Sequence, residues 1–203
     1  MTLFEKLNQH FEETFPSAGI TAPNDLQEKV LQRSKQGGDL LLVAGKSAGK
    51  SVATAIAALE KVPEQCEGSP RVVIICADSE QAKLTAALLV KVSRRKEIYV
   101  ELAHDKGNMI EQRNHIFEGA DIVVGTAKRI YDLYIQNGIN MGKLKLFILD
   151  DAETMLKETT IGQLRRVADS LPKCQRMIFA NALGPKLEKV MDDLLLNPLV
   201  LEF

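Results

Sequence analysis

The stretch "DLLLVAGKSAGKSVATAIAALEKV", Asp39 to Val62, decides the fold. Its first part, "DLLLVA", Asp39 to Ala44, is a short apolar run that stops at Gly45, as a fully buried strand does. Its last part is rich in alanine, with larger apolar residues at helical spacing. Between them lies "AGKSAGKS", Ala44 to Ser51. A strand, a glycine-bearing loop and a helix in that order aim backbone N–H groups and a helix N-terminus at one spot, where they favour an anion. The loop ends in the G-K-[ST] of the phosphate-binding pattern G-x-x-x-x-G-K-[ST]. Gly49 allows close approach, Lys50 reaches β and γ phosphates, and Ser51 offers a hydroxyl to a magnesium ion. Ala44 stands where that pattern begins with glycine. The candidate cradle is therefore Ala44, Gly45, Lys46, Ser47, Ala48, Gly49, Lys50 and Ser51.

Outward from this stretch the same alternation continues. "RVVIICA", "IYVEL", "ADIVVGT", "KLFILDDAE", "QRMIFANA" and "LVLEF" read as strands, and "EQAKLTAALLVKV", "RIYDLYIQ", "TMLKE" and "KLEKVMDDLLL" read as helices. Upstream, Phe4, Leu7, Phe11 and Phe15 recur at three- and four-residue steps, which predicts a helix ended by Pro16. Leu26, Val30 and Leu31 mark a second helix before Gly37 and Gly38. Buried strands separated by helices predict an α/β fold with a mostly parallel sheet sandwiched between helices, and ligands at the carboxyl ends of the strands. No repeat or long linker divides the chain, so residues 1–203 read as one unit: 1–38 as an N-terminal helical region and 39–203 as the core.

Composition sets the boundaries. The 203 residues are 45% hydrophobic, enough for a substantial core, and a formal net charge of -1 gives no global basic field for nucleic acid. Cys66, Cys76 and Cys174 form neither a C-x-x-C pair nor a metal cluster, and read as buried thiols in a reducing cytosol. The N-terminus carries acids where a secretory signal is basic, and no apolar run approaches the ~20 residues that span a bilayer. The expectation is a soluble, cytoplasmic protein with no membrane partner.

The second chemical signal is acidic. "LFIL", Leu146 to Leu149, runs into Asp150 and Asp151, as expected of the strand that supplies a magnesium-holding carboxylate beside a phosphate loop. A helix N-terminus also favours such acids, so the pair gains its meaning from the loop.

In detail these residues resemble the DEAD-box RNA helicases, whose phosphate loop begins with alanine, as here at Ala44. "DDAETML" looks like their D-E-A-D box. The resemblance implies a RecA-like P-loop NTPase domain using ATP and Mg2+, with catalytic roles at Lys50, Asp150 and Asp151 and the metal held by Ser51 and Asp150. "GITAPNDLQ" resembles the family's Q motif, which implies that Gln27 reads adenine while Phe4 stacks on it. "DIVVGTAKRIYDL" is similar to the segment around T-P-G-R, implying RNA-backbone contacts at Thr126 and Arg129; Glu80 in "ADSEQA" and Gly107 in "DKG" fall at two further RNA motifs. "ANA", Ala180 to Ala182, stands at S-A-T, so Ala180 and Ala182 occupy its coupling positions without hydroxyls. The likeness runs from about Phe4 to Phe203 and covers only the first of the family's two RecA-like domains. It implies RNA and a second RecA-like domain, in cis or in trans, as partners.

The departures have a cost. Ser47 replaces a loop glycine, and a positive φ there would cost on the order of 1–2 kcal/mol. Asp151 is one methylene shorter than the family's glutamate, and a misplacement near 1 Å can cost about a hundredfold in rate. Ser79 replaces an RNA-contacting arginine. Beside the ATP-binding helicase domain stand two other readings: a catalytically impaired, helicase-derived interaction module, and a small P-loop kinase, for which no lid or acceptor pocket is legible.

Overall fold

The computed structural model describes residue 5 and residues 14–62, 64–66 and 68–203. In chain order the elements are α1 (Thr14–Ser17), α2 (Asp25–Gln36), β1 (Leu40–Val43), α3 (Lys50–Lys61), β2 (Val72–Cys76), α4 (Ser79–Val92), β3 (Val100–Ala103), α5 (Met109–Gly119) and β4 (Ile122–Thr126). They continue with α6 (Ala127–Ile135), β5 (Leu146–Leu149), a 3-10 turn (Ala152–Met155), α7 (Glu158–Asp169), β6 (Gln175–Ala180), α8 (Pro185–Leu194) and β7 (Leu199–Glu202).

The strands form one sheet in the order β3-β4-β2-β5-β6-β1-β7. Every described pairing is parallel. Strands of such a sheet are buried on both faces, which is why they read as unbroken apolar runs and not as alternating ones. Leu40, Leu42, Ile74, Ile148 and Phe179 face one layer with Val30, Ile56 and Leu59 of α2 and α3. Their chain neighbours Leu41, Val73, Ile75, Phe147 and Ile178 face the other, with Ile130, Leu133, Val167 and Val190 of α6 to α8. Burying each such side chain contributes about 1.5–3 kcal/mol.

Local chemistry sets the boundaries. Asn24 caps α2, accepting from the Gln27 N–H while its own N–H donates to the Gln27 side chain. Asp78, Asn108 and Thr126 cap α4, α5 and α6 with side-chain oxygens that accept from first-turn N–H groups. Ala53, Ala55, Ala57 and Ala58 are buried in α3, and these small side chains let α2 pack closely on it.

Three expectations change. Pro16 lies inside the short helix Thr14–Ser17, which runs one residue past it, and the rest of the helix expected from Phe4, Leu7 and Phe11 lies outside the described residues. The helices α5 and α7 went unread. Of the three cysteines only Cys76 is buried, and Cys66 and Cys174 are half-buried; all three are free thiols. Burial, with the charge of Asp150 next, raises the Cys76 thiol to about 12.

At the β3–β4 seam Gly125 pairs with Ala103. A Cβ on Gly125 would lie 2.3 Å from the Ala103 carbonyl oxygen, a backbone atom that cannot move without breaking the ladder. Gly125→Ala is therefore expected to destabilise the fold by about 2–3 kcal/mol, the upper range for overpacking, as read by urea denaturation.

Candidate functional site

Three adjacent parallel strands, β1, β6 and β5, end at the same edge of the sheet. The loops leaving them line one open cavity of about 320 Å³, with Ser47, Lys50, Ser51, Asp150, Asp151 and Asn181 in its wall.

The loop after β1 turns on two left-handed residues, Ser47 (φ 63) and Gly49 (φ 95). Serine carries the strain expected of a glycine replacement at that position. Gly49 opens α3 as its N-cap, and the first-turn amides of that helix, lacking intrahelical acceptors, face the cavity edge. The loop is held from outside by α2. Asn24 Nδ2 donates to the Ala48 carbonyl at 2.9 Å and Gln27 Nε2 donates to that of Gly49 at 3.4 Å. Gln27 is buried, and its Oε1 accepts from the Asn24 N–H at 3.1 Å. The expected adenine reader thus also braces the phosphate loop. Phe4 lies outside the described residues. Asn24 was missed, although Asn-x-x-Gln ahead of a helix is a capping-box signature.

Lys50 is buried, and its ammonium donates to the carbonyls of Ala44 at 2.9 Å and Gly45 at 3.1 Å and to Asn181 Oδ1 at 2.7 Å. Asp151 Oδ1 lies 3.9 Å away. Asp150 is 1% exposed, and its Oδ2 has no hydrogen-bond partner. Burial, reinforced by the charge of Asp151 and opposed by that of Lys50, raises its carboxyl to about 6. Asp151 sits in the left-handed region at φ 57, at the turn from β5 into the 3-10 segment. The loop and the acid pair therefore meet, as the sequence predicted.

Asn181 was not predicted. Its Nδ2 donates to Asp151 Oδ1 at 3.1 Å and to Glu153, and its N–H donates to Glu153 Oε2 at 3.1 Å. Of its neighbours, Ala180 is buried and its carbonyl accepts from the Ala44 N–H at 3.0 Å, whereas Ala182 is exposed.

The RNA-motif residues gather at a second place on the same edge, beyond β3 and β4. Thr126 Oγ1 donates to Asp105 at 3.1 Å. Arg129 is 7% exposed, and its guanidinium donates to Gln112 Oε1 (2.9 Å) and to the carbonyls of Asp105 (3.0 Å) and Gly107 (3.2 Å). It pins the loop between β3 and α5 from inside. Glu80 is exposed, paired with Lys83 at 2.9 Å.

A strand-loop-helix cradle with a buried lysine, facing carboxylates at the end of a neighbouring parallel strand, defines a RecA-like P-loop domain. The profile of the DEAD/DEAH box helicase family matches residues 24–190, and the chain belongs to that family. It is 26% identical over 186 residues to DEAD-box ATP-dependent RNA helicase 14 of Arabidopsis thaliana, which covers 90% of this chain and 30% of that protein. It is 26% identical over 168 residues to the ATP-dependent RNA helicase eIF4A of Eremothecium gossypii, covering 83% and 42%. Among solved structures it superposes on a DEAD box protein from the hyperthermophile Methanococcus jannaschii with a TM-score of 0.89 at 21% identity, over 97% of this chain and 54% of that one. It matches S. cerevisiae Dbp5 bound to RNA and ADP BeF3 with a TM-score of 0.86 at 20% identity, over 100% and 52%. These likenesses show the fold. The chain spans less than half the length of these two curated relatives.

Two outcomes follow from the geometry. A raised carboxyl favours the folded state only while protonated, so the contribution of Asp150 is present below 3.8 and lost as pH rises through about 6. At about 1.4 kcal/mol per pKa unit, Asp150→Asn is expected to be about 2–3 kcal/mol more stable than the parent at pH 8, with the gap closing by pH 4 in denaturation series. Arg129→Ala is expected to lose about 2–3 kcal/mol, since it leaves the carbonyls of Asp105 and Gly107 and Gln112 Oε1 without their guanidinium donor, while exposed Lys128→Ala stays within about 0.5 kcal/mol; thermal melts compare the two.

Proposed function

We propose that this chain is the ATP-binding N-terminal domain of a DEAD-box-type RNA helicase, one RecA-like unit over residues 1–203. It contacts the RNA backbone and works with a second RecA-like domain, in cis or in trans, for efficient hydrolysis and unwinding. The observation that carries this reading is the meeting of Lys50, Ser51, Asp150 and Asp151 around one cavity at the strand ends. Ala44 to Ser51 hold the polyphosphate through main-chain amides, and Gln27 and Phe4 hold the base.

The residues fit a magnesium ion. Asp150 Oδ2 is a buried carboxylate oxygen without a partner, and Ser51 lines the same cavity. Among the described residues no group of three or more His, Cys, Asp or Glu could hold a metal, which suits an ion that relies on substrate phosphates and water for its remaining ligands. Bound there, it would neutralise charge on the phosphate oxygens. Asp151 takes the general-base position, its carboxylate oriented by Asn181.

On the RNA side, Thr126, Gly107 and Glu80 lie along the RNA-facing edge. Arg129 acts there by fixing the loop that carries Gly107. Among the described residues no helix is long and apolar enough to cross a membrane, and the free thiols suit a reducing cytosol.

Titration with Mg-ATP tests the reading. Binding at millimolar nucleotide or better is expected, and Lys50→Ala weakens it by about tenfold or more, the equivalent of a charged hydrogen bond. A folded sample that takes up no ATP overturns it. The internal engagement of Arg129 and the strained Ser47 favour a second reading, a catalytically impaired interaction module; under it Lys50→Ala leaves partner binding intact.

A further inference from the structure

Lys50 has three N–H donors, the full complement of an ammonium. All three are in use: two on carbonyls of its own loop and the third on Asn181 Oδ1, at 2.7 Å. A polyphosphate that engages Lys50 must therefore displace an acceptor, and Asn181 is its only side-chain hydrogen-bond acceptor among the described residues.

The other end of the Asn181 amide is also committed. Its Nδ2 donates to Asp151 at 3.1 Å and to Glu153, and the Asn181 backbone N–H bonds Glu153 as well. The side chain is thus a neutral bridge with its acceptor on the cation and its donors on the carboxylates. Its direction is fixed, because turning the amide over would set NH2 against NH3+ and oxygen against two carboxylates. We infer that Asn181 is a positioning residue that latches Lys50 to the acid side of the cavity and competes with a polyphosphate for the lysine. The inference rests on reading this cavity as a nucleotide site, and it assigns the affinity for the phosphate tail, not the base, to a residue one strand away from the phosphate loop.

Two variants separate the possibilities. Asn181→Ala removes the acceptor and frees one N–H of Lys50. Asn181→Asp keeps the acceptor, adds a negative charge that grips Lys50 and opposes phosphate, and loses the side-chain donors to Asp151 and Glu153. Two readouts are taken on the whole chain. The first is the rate at which acetic anhydride acetylates Lys50, followed by peptide mass spectrometry with exposed Lys46 as reference and no nucleotide present. The second is calorimetric affinity for Mg-ATP, ADP and adenosine.

With Asn181→Ala the acetylation of Lys50 is expected to rise severalfold over Lys46, and ATP and ADP are expected to bind about tenfold tighter, one charged hydrogen bond's worth, with adenosine unchanged. With Asn181→Asp, acetylation stays at or below the parent rate and ATP binds more weakly than to the parent. Acetylation unchanged in Asn181→Ala overturns the latch, as does parent-like or weaker ATP binding where the parent binds ATP. Should the alanine variant not fold, the aspartate variant decides alone: tighter ATP or faster acetylation overturns the inference. If acetylation rises as expected and neither parent nor variants bind ATP, the latch stands and the nucleotide reading falls.

Discussion

The structure depends on one constraint, the adjacency of three parallel strands. Because β1, β6 and β5 are neighbours running the same way, the chain leaves all three at one edge. Parallel strands lie about 4.8 Å apart, so the ends of β1 and β5 are separated by about 10 Å with β6 between them. A lysine on the helix after β1 can cross most of that distance. The first residue beyond β6 is then forced into the gap, and that residue is Asn181. No loop flexibility enters this arrangement: it follows from strand order and from the registers Val43↔Ala180 and Leu149↔Ile178.

Charge balance explains why such a gap is chemically poised. Lys50 faces Asp150 and Asp151, one buried ammonium against two carboxylates, within a space closed on one side by the sheet, and Glu153 joins them only through Asn181. Asp150 suffers most, being the most deeply buried: burial first, and then the negative charge of Asp151, raises its carboxyl to about 6 against the opposing charge of Lys50. Two further positive charges from a divalent ion, accompanied by phosphate, would relieve it. A neutral asparagine suits that gap as a bridge, since it satisfies cation and carboxylates together without adding to either sign.

The sheet and the loop were legible because both rest on local chemistry. Unbroken runs such as Val72–Cys76 and Ile122–Thr126 can be little else when glycine and helical patterns flank them. The helix α5 escaped because it barely has an apolar face: Ile116 is buried, while Ile110 and Phe117 are 70% and 62% exposed. Only its Asn108 cap carried a signal. The helix α7 escaped for a related reason, with Leu164, Val167 and Ala168 as its buried residues and β-branched Thr159, Thr160 and Ile161 in its first turn. Arg129 was legible as a cation near a helix start, but not its inward direction, which depends on Gln112 and on the carbonyls of a loop brought close by the β3–β4 pairing. Asn181 was illegible for the deepest reason: its partners come from two other strand ends, and nothing in its own neighbourhood of sequence announces them.

One strained turn borders the cavity. Five described non-glycine residues have positive φ: Ser47, Glu97, Asn137, Asp151 and Asn197. Asparagine and aspartate visit that region at little cost, so Asn137, Asn197 and Asp151 call for no special support, and Glu97 lies in the turn after α4, away from the cavity. Serine does not share that ease, and Ser47 borders the cavity. Strained residues persist where their surroundings over-determine them. Asp151 is held through its carboxylate by Asn181, and the Ser47 turn is closed by the Ala48 N–H on the Gly45 carbonyl and gripped from α2 through Ala48. Each wall of the cavity is thus braced by an asparagine from elsewhere in the chain, Asn24 on the side of the β1 loop and Asn181 on the acid side.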